Sequence, residues 1–235
     1  MRINQNTAII GTDIVLVPYR KHHVPTYHAW MEDPVLREHT SSERLTLNEE
    51  YDMQESWRND DDKLTFIILR KTSDENKYTQ EILSDADKPS NMVGDVNLFF
   101  SRRSPPIPIT VESNQDSPEG QEEQEEVCCA ECEVMIASSQ HRRLGYATQA
   151  LSLLLQYTST LSHTIPSLEN SSLPPPFFFS RVHSNNAPSL NLFKSLNFQI
   201  VKEIPAFSEI ELGLPLSSLI DSNKALSPLN IVQYT

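Results

Sequence analysis

The passage from Ala130 to Thr148 constrains the fold of this chain more than any other. In Ala130-Glu131-Cys132-Glu133-Val134-Met135-Ile136-Ala137, the residues Glu131, Glu133 and Met135 alternate with Cys132, Val134 and Ile136. That period of two predicts a strand. A short basic turn follows, Ser138-Ser139-Gln140-His141-Arg142-Arg143-Leu144. From Gly145 onward Ala147, Leu151, Leu154 and Leu155 recur at helical spacing, which predicts a helix to about Leu161. The first turn of a helix carries unpaired N–H groups and a partial positive charge, and here two arginines and a glycine sit against it. Such a strand–turn–helix suits an anionic group such as pyrophosphate.

The chain has 235 residues, enough for one sizeable core, and a single domain with insertions is the expectation. Its formal net charge of −13 is unevenly placed: Glu112, Asp116, Glu119, Glu122, Glu123, Glu125 and Glu126 form one run without Lys or Arg. That run is expected to be solvated and disordered, and the acidic balance argues against a nucleic-acid partner, which would need clustered cations. The three cysteines, Cys128, Cys129 and Cys132, lie too close together for a disulfide framework, and Cys129-x-x-Cys132 has no second ligand pair to complete a zinc site. They read as structural. The start lacks the apolar stretch of a signal peptide and no run reaches the length of a membrane span, so a soluble, cytoplasmic protein with no membrane partner is expected.

In chain order, Asp13 to Pro18 reads as a strand ended by its proline. Val24, Tyr27 and Met31 share helical spacing. The neighbouring His22, His23 and His28 read as scattered polar positions on that helix rather than metal ligands. Thr46 and Glu49 form a capping box for a helix from about Leu47 to Trp57. Lys63 to Leu69 and Met92 to Phe100 read as strands, with Gly94 marking a bulge or a close backbone approach. Insertions are expected near 72–90, 101–126 and 162–176. Phe177 to Val182 reads as a buried strand, and Asn186 as the cap of a short helix carrying Leu190 and Phe193. Two further strands, Phe198 to Ile204 and Phe207 to Leu214, complete a domain over 1–216. The tail, 217–235, shows no pattern.

Arg142-x-x-Gly145-x-Ala147 resembles the acyl-coenzyme A loop of the GNAT superfamily, Gln/Arg-x-x-Gly-x-Gly/Ala. Asn186-Ala187-Pro188-Ser189 followed by Phe193 and Asn197-Phe198 resembles that family's second motif. Val15-Leu16-Val17-Pro18-Tyr19, Tyr27-His28-x-Trp30-Met31, Met92-Val93-Gly94-Asp95-Val96-Asn97-Leu98 and Glu131-x-Glu133-Val134-Met135-Ile136-Ala137 look like its N-acetyltransferase 9-like branch, akin to the RimJ/RimL-like enzymes. The resemblance covers about residues 1 to 214 apart from the insertions.

It implies the GNAT fold, an α+β three-layer architecture with a mixed, mostly antiparallel sheet flanked by helices. It also implies transfer of an acetyl group from acetyl-CoA to a primary amine, by direct attack in a ternary complex and with no metal. The favoured acceptor is a protein or peptide N-terminal or lysine amine. A small-molecule amine is a further option. By matched position, Arg142, Arg143, Leu144, Gly145, Tyr146, Ala147 and Thr148 would bind the pyrophosphate. Met135, Ile136 and Ala137 would border the pantetheine arm, with the backbones of Met135 and Ala137 pairing to it. Asn186 would hydrogen-bond the pantetheine arm, and Ser189 of the same motif would join the cofactor-binding residues. The attacking amine must be neutral, so a base is required. Glu131 matches the position where several family members place one, and Glu133, on the same strand face, is the reserve.

Four departures stand out. Phe193 replaces the tyrosine that many members use as an acid, Arg143 replaces a loop glycine, Ala147 ends the loop where glycine is common, and Asn197 replaces the glycine of the second motif. A reading of another class therefore stays open, that of a weakly active or inactive GNAT-fold interaction module.

Overall fold

The computed structural model describes residues 1–71, 79–105, 125–223 and 228–235. Residues 106–124 of the second insertion, which hold Pro106, Pro108 and most of the acidic run, lie outside them. The chain forms, in order, β1 (Thr7–Ile10), β2 (Ile14–Pro18), α1 (Val24–Met31), α2 (Pro34–His39), α3 (Leu47–Asn59), β3 (Lys63–Arg70) and α4 (Gln80–Ala86). There follow β4 (Met92–Arg103), β5 (Val127–Ile136), α5 (Tyr146–Ser159), β6 (His163–Ile165), β7 (Ser171–Leu173), β8 (Phe177–His183) and α6 (Ala187–Ser195). The chain closes with β9 (Gln199–Ile204), β10 (Glu209–Pro215), α7 (Leu216–Asn223) and β11 (Asn230–Gln233). Nine strands make one sheet in the order β11-β1-β2-β3-β4-β5-β8-β10-β9, antiparallel throughout except where β5 meets β8. β6 and β7 form a separate ribbon.

The strand period sorts side chains onto two covered faces. Leu64, Phe66 and Ile68 of β3 join Leu151, Leu154 and Leu155 of α5 in one core. Ile67 and Leu69 of the same strand join Val24, Tyr27 and Met31 of α1 in the other. Successive residues of a strand point to opposite faces, so a central strand buried on both reads as an apolar run, Phe66 to Leu69, with Leu64 before it and the buried Thr65 between. The capping box at α3 is present, with Thr46 Oγ1 accepting from Glu49 N–H and Glu49 returning the bond. No helix among the described residues is long and apolar enough to cross a membrane.

The structure departs from the sequence reading where short segments gain order only by pairing. Residues 163–173, expected as part of an insertion, form the β6–β7 ribbon, and Ile165 and Leu173 are buried. Within 72–90, α4 buries Leu83. The patternless tail supplies α7 and β11, and β11 pairs with β1. A four-residue strand has too little pattern to stand out in a sequence, and it is held only by the neighbour whose N–H and C=O groups it satisfies.

The histidines near α1 also differ from the expectation. His23 is fully buried, and Asp87, distant in sequence, supplies the missing carboxylate. Ligand-type atoms of His22, His23 and Asp87 lie within 4.8 Å of one another. The hydrogen bonds nevertheless assign His23 a role other than metal ligand. Its Nδ1 accepts from the Arg20 N–H at 2.9 Å, so its proton lies on Nε2 and is donated to Asp87 Oδ1 at 2.5 Å. Asp87 also accepts from the Tyr234 hydroxyl at 2.8 Å, and His22 Nε2 stands 3.1 Å away, so the C-terminal strand is clasped to the entry of α1. Burial raises the Asp87 pKa, but hydrogen bonds from His22, His23 and Tyr234 outweigh it and hold the carboxyl well below the usual range. Burial lowers the His23 pKa, and the Asp87 carboxylate opposes that shift. A carboxyl lowered by folding stabilises the fold above its ordinary pKa of 3.8, and that contribution is lost as pH falls below it. Asp87→Ala is expected to cost about 3 kcal/mol at pH 7. In denaturant titrations, the gap to wild type should narrow below pH 4.

Candidate active site

β5 and β8 share a parallel register only at Cys129–Phe177, Ala130–Phe178 and Glu131–Phe179. Yet β5 continues to Ile136 and β8 to His183. Past Glu131 the two strands part, and the β8-facing edge of β5 is left without a strand partner. Two adjoining cavities of about 590 and 380 Å³ occupy the opening, and both are bordered by Val134, Met135, Asn186 and Ser189.

The larger cavity lies against the basic turn and the start of α5, lined by Arg142, Arg143, Gly145, Tyr146, Ala147 and Thr148. Gly145 is the N-cap, at φ +82, and no side chain caps the helix. The N–H groups of the first turn therefore keep their capacity for an anion. Arg142 does not turn its guanidinium outward as a free cation. Its Nε donates to the Ile136 carbonyl at 2.9 Å and its Nη2 to that of Ala137 at 3.1 Å, tying the turn to the end of β5. Arg143 is exposed and adopts φ +63, the left-handed conformation that suits the family's glycine. Asn197 stands in for glycine in the same way, at φ +67. Leu144, next to Arg143 in the chain, is exposed.

The strand edge differs from the expected phase by one residue. The Ala137 N–H donates to the Val93 carbonyl at 2.9 Å, and a Cβ on Gly94 would lie 1.8 Å from the Met135 carbonyl oxygen. The backbones of Met135 and Ala137 thus face β4. In an antiparallel ladder alternate residues turn both polar groups to the same side, so those of Val134 and Ile136 face the opening. On the far wall Asn186 caps α6, its Oδ1 accepting from the Ser189 N–H at 3.2 Å.

The smaller cavity lies on the α1 and α3 side and gathers Glu131, Glu133, Asp95, Asn97, Tyr27 and Arg181. Glu131 and Glu133 lie on one strand face, as the alternation requires, but their settings differ. Glu131 is half-buried at the last paired position, with Arg181 Nη1 3.8 Å away. Burial raises its pKa and Arg181 opposes the rise. Glu133 stands beyond the split, open to the cleft, although the surrounding walls crowd water from its carboxyl. That desolvation, then the neighbouring Glu131 and Asp95, push its pKa up to about 8. Arg181 is itself engaged by Glu211, which is 1% exposed and also accepts from Arg103 Nη2 at 2.9 Å and Nη1 at 3.1 Å. Phe193 is buried, packed edge-on against Phe198 at 5.1 Å, and lines the smaller cavity without a hydroxyl.

Asp95, Asn97, Tyr27 and Arg181 were not among the site residues expected from sequence, although Tyr27, Asp95 and Asn97 stand in the segments that carry the family resemblance. Their one signal is the alternation of Asp95 and Asn97 with Val96 and Leu98, where two polar residues share one face of a strand. The three cysteines are buried, as their structural reading requires.

Residues 13–199 match the family model "Acetyltransferase (GNAT) domain". The chain is a member of the GNAT acetyltransferases, acetyl-transferring enzymes whose family uses acyl-CoA. Within that family it is similar to the alpha/beta-tubulin-N-acetyltransferase 9 of Drosophila melanogaster, 39% identical over 217 residues, 92% of this chain and 90% of the relative. The human protein of the same name is 36% identical over 219 residues, 92% and 87% of the two chains. An N-acetyltransferase 9-like protein of Dictyostelium discoideum is 38% identical over 216 residues, 89% and 85% of the two. Among solved structures, a spermidine N-acetyltransferase from Vibrio cholerae in complex with CoA and spermine shares the fold. It has a TM-score of 0.59 and 13% identity, over 89% of this chain and 99% of that one.

Proposed function

We propose that this protein acetylates a free amine of tubulin with acetyl-CoA, in the cytoplasm, and that Glu133 is the base. The observation that carries the reading is the split between β5 and β8, which joins an uncapped helix start on one side to a carboxylate of raised pKa on the other. The residues present fit acetyl-CoA. The first turn of α5 offers N–H groups to its pyrophosphate, and the backbone of Val134 and the N–H of Ile136, whose carbonyl Arg142 already engages, offer hydrogen bonds to the pantetheine amides. The capping Asn186 retains its side-chain NH₂ for the same arm. When bound, acetyl-CoA supplies the activated acyl carbon.

Glu133 takes a proton from the acceptor's ammonium, freeing the nitrogen lone pair for attack. Its pKa of about 8 keeps the carboxylate basic enough to remove that proton. Glu131, charge-balanced by Arg181, holds the wall beside it. Phe193 supplies no proton, so delivery on that side falls to water in the open cleft. Tubulin as acceptor is supported by the relatives' names, and the acidic wall suits an incoming cation.

Two measurements test the reading. Acetyl-CoA at ~100 times its dissociation constant should stabilise the protein by about 2.7 kcal/mol against unfolding. Arg142→Glu, which unties the turn and puts a like charge at the anion site, should abolish that rise. Purified αβ-tubulin incubated with the protein and acetyl-CoA should gain acetyl groups by mass spectrometry. No stabilisation at millimolar acetyl-CoA would defeat the cofactor assignment, and unmodified tubulin would defeat the acceptor assignment.

A further inference from the structure

Behind Glu133 the sheet carries two polar side chains that the acetyl-transfer scheme leaves unused. Cross-strand register puts Thr65, Asn97 and Glu133 in one row of the face under α1 and α3, and Ile67, Asp95 and Met135 in the next. Asn97 is 5% exposed and Asp95 2%, and both line the smaller cavity. Asn97 Nδ2 donates to Asp95 Oδ2 at 2.9 Å, which sets the orientation of the amide, and its Oδ1 is left without a hydrogen-bond partner. A buried carbonyl oxygen with no donor is uncommon, because it loses its water without replacement. Tyr27 completes the group, its hydroxyl 3.4 Å from Asp95 Oδ2.

The missing partner is a donor, and the cavity fits one kind closely. An alkylammonium offers three N–H donors and no acceptor. Asn97 Oδ1, the Asp95 carboxylate and Glu133 offer it acceptors from adjoining rows of one face. Arg181, the cation on the wall, is occupied by Glu211 and Glu131. We propose that Asn97 and Asp95 form the subsite that receives the acceptor's ammonium nitrogen and presents it to Glu133. The inference rests on the acetyl-transfer reading of the cleft and adds the residues that select a primary amine.

The test is steady-state kinetics of wild type, Asp95→Asn and Asn97→Leu. The acceptors are purified αβ-tubulin and, in parallel, a pool of random-sequence hexapeptides with free N-termini. Both variants should raise the acceptor KM at least tenfold and leave the acetyl-CoA KM within twofold. Asp95→Asn also separates binding from folding. It keeps the shape of the side chain and removes a charge that burial disfavours, so its melting temperature should be no lower than wild type. An unchanged acceptor KM in Asp95→Asn would overturn the subsite, and so would a rise in both KM values together with a lower melting temperature. Tubulin left unmodified while the peptide pool is acetylated would remove tubulin as the acceptor, and the subsite would then be judged on the pool. A wild-type protein that acetylates neither would overturn the subsite with the reaction.

Discussion

Glu133→Gln is expected to slow acetyl transfer by roughly 10²–10⁴-fold, the range for losing a positioned general base, with acetyl-CoA binding retained. The amide keeps the shape of the side chain but cannot take a proton. Glu131→Gln should cost much less, because Glu131 sits at the last paired position of β5 beside Arg181 rather than past the split. The pH profile adds a second check. A base must be ionised to act, so with a Glu133 pKa of about 8 the wild-type rate should climb through pH 8. In Glu133→Gln the residual rate should lose that inflection. Stability should move the other way. A carboxyl whose pKa is raised by folding is favoured by the fold while protonated, and it weakens the fold as pH rises from its ordinary 4.5 through about 8. The glutamine variant is therefore expected to be at least as stable as wild type at pH 9 in urea titrations. Full activity in Glu133→Gln, with the loss appearing in Glu131→Gln, would exchange the two roles.

Gly94→Ala is expected to destabilise the protein by about 3 kcal/mol in urea and to weaken acetyl-CoA binding at least tenfold. Gly94 lies beside the shift of register between β3 and β4, where the added residue of the bulge brings β4 close to β5. A Cβ there would stand 1.8 Å from the Met135 carbonyl oxygen and 2.9 Å from its carbon. Both are backbone atoms of the strand that borders the cleft, and no rotamer change moves them aside. β5 must shift, and the unpaired edge at Val134 and Ile136 shifts with it. Gly145→Ala is the contrast. Its Cβ would meet nothing within 4 Å, so the cost is the left-handed backbone alone, about 1–2 kcal/mol. Equal losses in the two variants would refute the account of Gly94 as a close-approach glycine.

Much of the strand, turn and helix beside the larger cavity was legible before any coordinates, because its parts are local. The alternation around Glu133, the turn at Gly145 and the 3.6-residue period of α5 lie within thirty residues of chain, and each is a short-range preference. The same holds for the α3 capping box and for Asn186 as the cap of α6. Gly94 was readable as a bulge or close approach because a lone glycine in a strand has few other uses.

What escaped depends on partners far along the chain. Thr7 to Ile10 and Asn230 to Gln233 are too short to announce strands, and they exist by pairing, the second with the first and the first also with β2. His23 looked like a surface histidine because Asp87, the group that buries it, lies 64 residues away. Arg142 looked like a free cation because sequence does not show that two strand carbonyls already occupy it.

The sequence by itself determined the succession of elements and the chemistry offered at each position, since both follow from nearest-neighbour preferences. Tertiary structure alone decided which carboxylate stands beyond the split, which strand edge is left unpaired and which buried oxygen lacks a donor. Those are properties of register, and register is settled only when separate strands meet and one face of each must be hidden from water.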